Sequence, residues 1–178
     1  MHRLPSVLLL LAVSIGISIA TDVASARTME PGNIVIGGGI GPSFKTGSEL
    51  GMSSGYLMLN GIGEYVFTPE LSGVASVAAG LAGTIPLRLR VGGRYRIVGG
   101  QLPLSPYVQL EVSAGRLYDV LGTNLTSFGV RAGGGADYFL SANWMVGILG
   151  AWEVARTTGE RPANYSTIDV LLTFGHVF

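Results

Sequence analysis

Residues 85–97 read IPLRLRVGGRYRI, and their alternation decides the fold. Read as a simple run of charge, Arg88, Arg90, Arg94 and Arg96 suggest a phosphate or nucleic-acid surface. Side chains of an extended strand, however, point alternately to opposite faces. On that geometry the four arginines share one face, and Ile85, Leu87, Leu89, Val91, Tyr95 and Ile97 share the other. A strand of this kind separates an apolar medium from a charged one.

Working outward, the same two-residue period recurs in eight segments of about ten to thirteen residues, near 33–44, 55–67, 71–82, 85–97, 105–118, 127–139, 144–155 and 166–178. The third is the least marked, because VASVAAGLAG is small and apolar on both faces. In the other segments the charges fall on one face: Glu64 with Asn60, Glu111 with Gln109, Arg131 with Asp137, then Glu153 and Asp169. The opposite faces carry Leu57 and Leu59, Val108 to Val112, Phe128 and Val130, Ile148, and Ile168 to Leu172. The charged face thus collects Arg88, Arg90, Arg94, Arg96 and Arg131 against Glu64, Glu111, Asp137, Glu153 and Asp169, with zero net charge. Connections such as KTGSELGMSS, DVLGTNLT and TTGERPAN read as longer polar loops at one end; TPE and SAN read as tight turns at the other.

Which face lies outward follows from the aromatics. Tyr65, Phe67, Tyr95, Tyr138, Trp144 and Phe178 fall toward the short-turn end of the apolar face, and Phe44, Tyr118, Phe128 and Trp152 toward the loop end. Two aromatic girdles bordering an apolar band mark a barrel in lipid. In hydrocarbon every backbone polar group must be paired, which a closed barrel achieves. The expected architecture is therefore all-β: an eight-stranded antiparallel up-and-down transmembrane barrel, with membrane lipid as its outer partner.

Composition agrees. The chain of 178 residues is 48% hydrophobic and 12% charged, where a soluble domain carries about 25% charged. Eleven bases balance eleven acids, so no global field gathers nucleic acid. The absence of cysteine rules out disulfides and thiolate metal sites. Residues 1–26 have a basic start at Arg3, an apolar run from about Val7 to Ala20, and Ala24-Ser25-Ala26, the plan of a secretory signal peptide. The run is too short for a spanning helix, which needs roughly twenty residues. The expected organisation is a signal peptide over 1–26 and a barrel over 27–178.

The stretches SPYVQLEVSAG and FGVRAGGGADYFLSANWMVGI, with a terminal alternating strand ending in Phe178, resemble the outer-membrane β-barrel domain family of Gram-negative bacteria, the OmpA-like or OmpX-like small barrels. The resemblance spans the chain after residue 26. It implies outer-membrane residence and insertion by the barrel-assembly machinery, for which Val170, Leu172, Phe174 and Phe178 match the C-terminal signal. His176 departs from that signal, where an aromatic is usual. The soluble peptidoglycan-binding domain of OmpA proper has no counterpart among these residues.

Enzymatic chemistry is not expected. A nucleophile needs a neighbouring base. His176 stands on the predicted lipid face, and nothing in the sequence ties Ser141 to it. IGGGIG lacks the final glycine of a dinucleotide fingerprint, since Pro42 stands there. Asn124-Leu125-Thr126 and Asn164-Tyr165-Ser166 are sequons in spelling and mark surface loops. No metal or cofactor is expected. Two functions remain: a structural or surface-interaction barrel whose charge-paired interior is plugged, or a narrow porin-like channel. The small interior residues Gly129, Gly133, Gly135, Ser113 and Gly147 speak for space inside. Arg116, near the loop rim, is a candidate for lipopolysaccharide, or a snorkelling side chain.

Overall fold

The computed structural model describes residues 29–48, 54–81, 85–99, 104–120, 123–158 and 162–178. The expected signal peptide over 1–26 lies outside these residues. The described chain forms eight strands: β1 (Ile34–Ser48), β2 (Gly55–Val66), β3 (Leu71–Gly80), β4 (Ile85–Arg96), β5 (Leu104–Val120), β6 (Thr123–Phe139), β7 (Trp144–Thr158) and β8 (Asn164–Val177). Each pairs antiparallel with its sequence neighbour, and β1 pairs with β8, so the sheet closes into a barrel. Closure leaves no edge strand.

The alternation of the sequence is the alternation of the wall. Along β8, Tyr165, Thr167, Asp169, Leu171, Thr173 and Val177 are buried, and Ile168, Val170, Leu172 and Phe174 are exposed. Along β4, Arg88, Arg90, Arg94 and Arg96 are buried, while Leu89 and Val91 are 60% and 61% exposed. A large apolar side chain costs roughly 1.5–3 kcal/mol when left in water instead of being buried. An outer wall of Ile36, Leu59, Leu89, Val91, Leu110, Val112, Ile148, Leu172 and Phe174 therefore belongs in hydrocarbon. Phe44, Tyr65, Phe67, Tyr95, Phe128, Trp144, Trp152 and Phe178 are all exposed on that wall, and Tyr118 and Tyr138 are half-buried in it.

One expectation needs correction. Of the segments read as longer loops, DVLGTNLT is largely strand, while KTGSELGMSS and TTGERPAN contribute only their ends to strands, with residues 49–53 and 159–161 outside the described residues. β1 continues to Ser48, β5 to Val120 and β7 to Thr158, while β6 begins at Thr123 and β8 at Asn164. Val120 pairs with Thr123 across a short connection. Threonine is a good strand former, so polar composition did not end the ladder. Inside this extension Leu117, Ala155 and Tyr165 pack together with Leu125, which gives it a core of its own. At 17 residues each, β5 and β6 exceed the roughly ten that cross a bilayer, and they carry the chain beyond the apolar band.

The other end is tied by short turns. The Ser141 hydroxyl accepts hydrogen bonds from the backbone N–H groups of Asn143 and Trp144, holding the β6–β7 turn. Phe178 donates its backbone N–H to the Ile34 carbonyl at 2.8 Å, and Ile34 donates back to Phe178. The ladder thus runs to the last residue.

Candidate functional site: the barrel interior

Every one of the ten charged residues assigned to the interior face from sequence is buried inside the barrel. They form two clusters. In the lower one, toward the turn end, Arg94 and Arg96 meet Glu64 and Asp137. Arg94 Nη1 lies 2.9 Å from Glu64 Oε2, Arg96 binds both Glu64 oxygens, and both arginines lie 3.5 Å from Asp137. The Arg94 guanidinium also stacks 4.0 Å from the centre of the Tyr107 ring. In the upper cluster Arg88, Arg90 and Arg131 meet Glu153, Asp169 and Glu111. Glu153 Oε2 receives Arg88 at 2.9 Å and Arg90 at 2.8 Å, and Asp169 Oδ2 receives Arg131 at 3.2 Å and Arg90 at 3.4 Å. Arg131 also binds Glu111. Two cations face two anions below, and three face three above, so each cluster is neutral by itself.

The gap between the arginine pairs of β4 causes this division. Gly92 occupies the interior position between Arg90 and Arg94 and pairs with Glu111. A Cβ there would fall on the Leu110 carbonyl. Arg88 and Arg90 therefore serve the upper cluster, and Arg94 and Arg96 the lower. Buried hydroxyls complete the acids: Ser43 donates to Asp169 at 2.7 Å and Ser113 to Glu153 at 2.9 Å. Buried carboxylates need such bonds as well as ion pairs.

Sequence reasoning missed the apolar plugs. Met29, Val35, Val66, Phe139, Met145 and Val177 fill the turn end. Tyr56, Met58, Ala78, Tyr107, Leu149, Ala151 and Leu171 form a second interior group. Leu117, Ala155 and Tyr165 close the loop end. The signal was present on β2, β5, β6, β7 and β8, where each of these residues shares the parity of the interior charges; β1 and β3, which hold Val35 and Ala78, carry none of those charges. The glycines read as spare room are occupied as well. A Cβ on Gly135 would lie 2.6 Å from the Tyr107 hydroxyl, and one on Gly147 would lie 2.5 Å from Asp137 Oδ1. Small residues here make space that a larger neighbour takes.

Fold and wall together decide the class. The chain is an eight-stranded β-barrel of the outer-membrane type. Its fold matches Neisserial surface protein A at 14% identity and a TM-score of 0.63, over 82% of this chain and 97% of that one. It matches the outer membrane protein OprG from Pseudomonas aeruginosa at 17% identity and 0.59, over 84% and 97%. It matches Ail, the attachment invasion locus protein of Yersinia pestis, at 17% and 0.54, over 84% and 100%. No protein-family model and no curated protein sequence matches the chain. The apolar wall places this outer-membrane-type barrel in a bilayer, and its fold groups it with barrels of bacterial outer membranes.

The remaining candidates lie elsewhere on the barrel. His176 is on the outer wall, wedged between the Trp144 and Phe178 rings with centroids at 4.7 and 4.4 Å. Ser141 is engaged in its turn, with no described hydrogen bond to His176. Val170, Leu172, Phe174 and Phe178 form one exposed row on β8 and its end. Arg116 is exposed on the outside of β5. Among the described residues no group of three acids or histidines is placed to hold a metal ion.

Proposed function

We propose that this protein is a structural barrel of the outer membrane with a filled, charge-paired interior, presenting its strand extensions and loops at the cell surface. The observation that carries this reading is the inaccessibility of the interior charges. A water-filled pore leaves its lining exposed to water-sized probes. Here Arg131, Glu153 and Asp169 are 0% exposed and Arg88, Arg90 and Arg96 are 1% exposed. Eight strands enclose an interior that side chains just fill. Apolar groups above and below the charges add a barrier to ions that a charged ring alone lacks. In this reading the barrel catalyses no reaction and takes no cofactor. Its partners are outer-membrane lipid and, during biogenesis, the assembly machinery that reads the β8 row ending in Phe178.

The decisive experiment is conductance. Folded protein of residues 27–178, inserted in a planar lipid bilayer under voltage, is expected to show no steady single-channel steps. Reproducible steps from the wild type would replace this reading by the narrow channel. One observation favours that second reading: five guanidinium nitrogens of Arg88, Arg90 and Arg131 lack a hydrogen-bond partner, so the upper cluster holds unspent donors for a passing anion. Arg90→Ala separates the two, because it should open a leak in a plugged barrel and change ion preference in a channel.

A further inference from the structure

The strand acids whose side chains are described, Glu64, Glu111, Asp137, Glu153 and Asp169, all point inward, and of the described arginines on the strands only Arg116 and Arg156 point outward. Both stand near the loop end. Arg116 on β5 pairs in register with Thr126 on β6, which pairs with Thr158 on β7. Arg156 on β7 pairs with Phe128, two residues further down β6. The two arginines therefore flank β6, two strand widths across and two residues along, roughly 12 Å apart. Thr126 lies between them, level with Arg116; Thr158 lies above Arg156; and Phe128 lies exposed beside Arg156. Neither arginine has an acidic partner among the described residues. The interior offers no compensation, because both of its clusters are neutral. At the turn end the described outer charges have the opposite sign, at Glu30 and Glu70.

From this placement we infer that Arg116 and Arg156 form a clamp on the outer wall for the phosphate-bearing headgroup of a membrane lipid in the leaflet at the loop end. Two cations at the lipid–water boundary, with threonine hydroxyls beside them and an aromatic face beside the acyl chains, fit an anionic amphiphile and not a soluble anion. Arginine binds phosphate oxygens through a planar fork of N–H donors. The wall below, with Phe128, Val130 and Trp152 exposed, receives the chains.

The two tryptophans allow a test on the intact barrel. Trp152 lies on the loop side of the wall and Trp144 at the turn end. The W144F protein, reporting only Trp152, is reconstituted in phosphatidylcholine vesicles containing brominated phosphatidic acid, and quenching is compared with brominated phosphatidylcholine. Phosphatidic acid is expected to be preferred at Trp152, by about five-fold for each arginine that engages it. The preference should vanish in R116Q/R156Q on the W144F background and survive in R116K/R156K. The W152F protein, reporting Trp144 beside the acidic end, should show none. Equal quenching by both lipids at Trp152, or an undiminished preference in the glutamine variant, would overturn the clamp. Folding of each variant is checked by its heat-modifiable mobility in gels. A glutamine variant that failed this check would be replaced by R116Q and R156Q singly, each expected to lose part of the preference.

Discussion

Gln109 joins Arg94 to Glu111. Its side-chain oxygen accepts from the Arg94 guanidinium at 2.9 and 3.2 Å, and its nitrogen donates to Glu111 Oε2 at 2.9 Å. Among the described residues this amide is the one hydrogen-bonded link between the two neutral clusters, and it bridges them because it can donate and accept at once. Gln109→Leu should leave donors of Arg94 and an oxygen of Glu111 without that partner in a dry interior. The expected loss is about 1–3 kcal/mol of folding stability. Gln109→Glu should be no rescue, because it sets a second carboxylate against Glu111. Urea unfolding in lipid vesicles, followed by tryptophan fluorescence, measures both; a leucine variant as stable as the wild type would show that the link is dispensable.

Cluster neutrality makes a second prediction. Glu153 accepts from Arg88, Arg90 and Ser113. Glu153→Gln leaves the upper cluster with three cations and two anions, at a cost of about 3–5 kcal/mol, typical for removing one partner of a buried pair. Arg88→Met in the same chain restores two against two. The double variant R88M/E153Q should therefore be more stable than E153Q alone. The same unfolding assay, run as a double-mutant cycle, decides: losses that simply add would mean the cluster does not behave as a balanced unit.

How much of this was legible in advance depended on what strand parity encodes. The period of two identifies the inner and outer wall, so Arg88, Arg90, Arg94, Arg96 and Arg131 and their five acids fall on the interior face from the sequence alone. Parity cannot assign partners. Which acid Arg90 meets depends on the tilt of the strands and on side chains reaching across the lumen from β7 and β8, and no local pattern carries that. The apolar plugs share that parity where the strand carries charge, but an apolar side chain at an inner position looks the same in sequence as one facing lipid: Met58 and Leu171 sit on the same faces as Glu64 and Asp169. The β5–β6 loop is shorter than its composition suggests for another reason. Polar residues at a barrel rim are compatible with strand, and the packing of Leu117 against Tyr165 that extends β5 is a contact remote in sequence.

Glycine positions on the two faces of the wall should respond in opposite ways. Gly92 faces the interior, where an added Cβ would strike the Leu110 carbonyl and the Glu111 backbone. Gly92→Ala must shift β4 against β5 beside both charge clusters, and overpacking of this kind costs about 1–3 kcal/mol. Gly61 faces outward, and a Cβ there meets nothing within 4 Å. Gly61→Ala should change stability by no more than about 0.5 kcal/mol. Equal effects of the two substitutions would contradict the packed interior on which the plugged reading depends.

The last residue offers the sharpest separation of closure from assembly. Phe178 exchanges backbone hydrogen bonds with Ile34, its carbonyl also accepts from the Asn33 side chain, and its ring packs on His176. Beside it, Val177 is held by Asn143, which both accepts from its N–H and donates to its carbonyl at 2.8 Å. Deleting Phe178 removes the two hydrogen bonds to Ile34 but leaves the Val35–Val177 pairing of β1 with β8 and this second anchor. Purified protein lacking Phe178 should therefore still refold in detergent, with a stability loss of about 1–3 kcal/mol for the two ladder bonds and the buried part of the ring. If the C-terminal row also serves as the assembly signal, the same deletion should reduce the folded, heat-modifiable fraction in cells far more than in vitro. Equal losses in the two settings would assign Phe178 to closure alone.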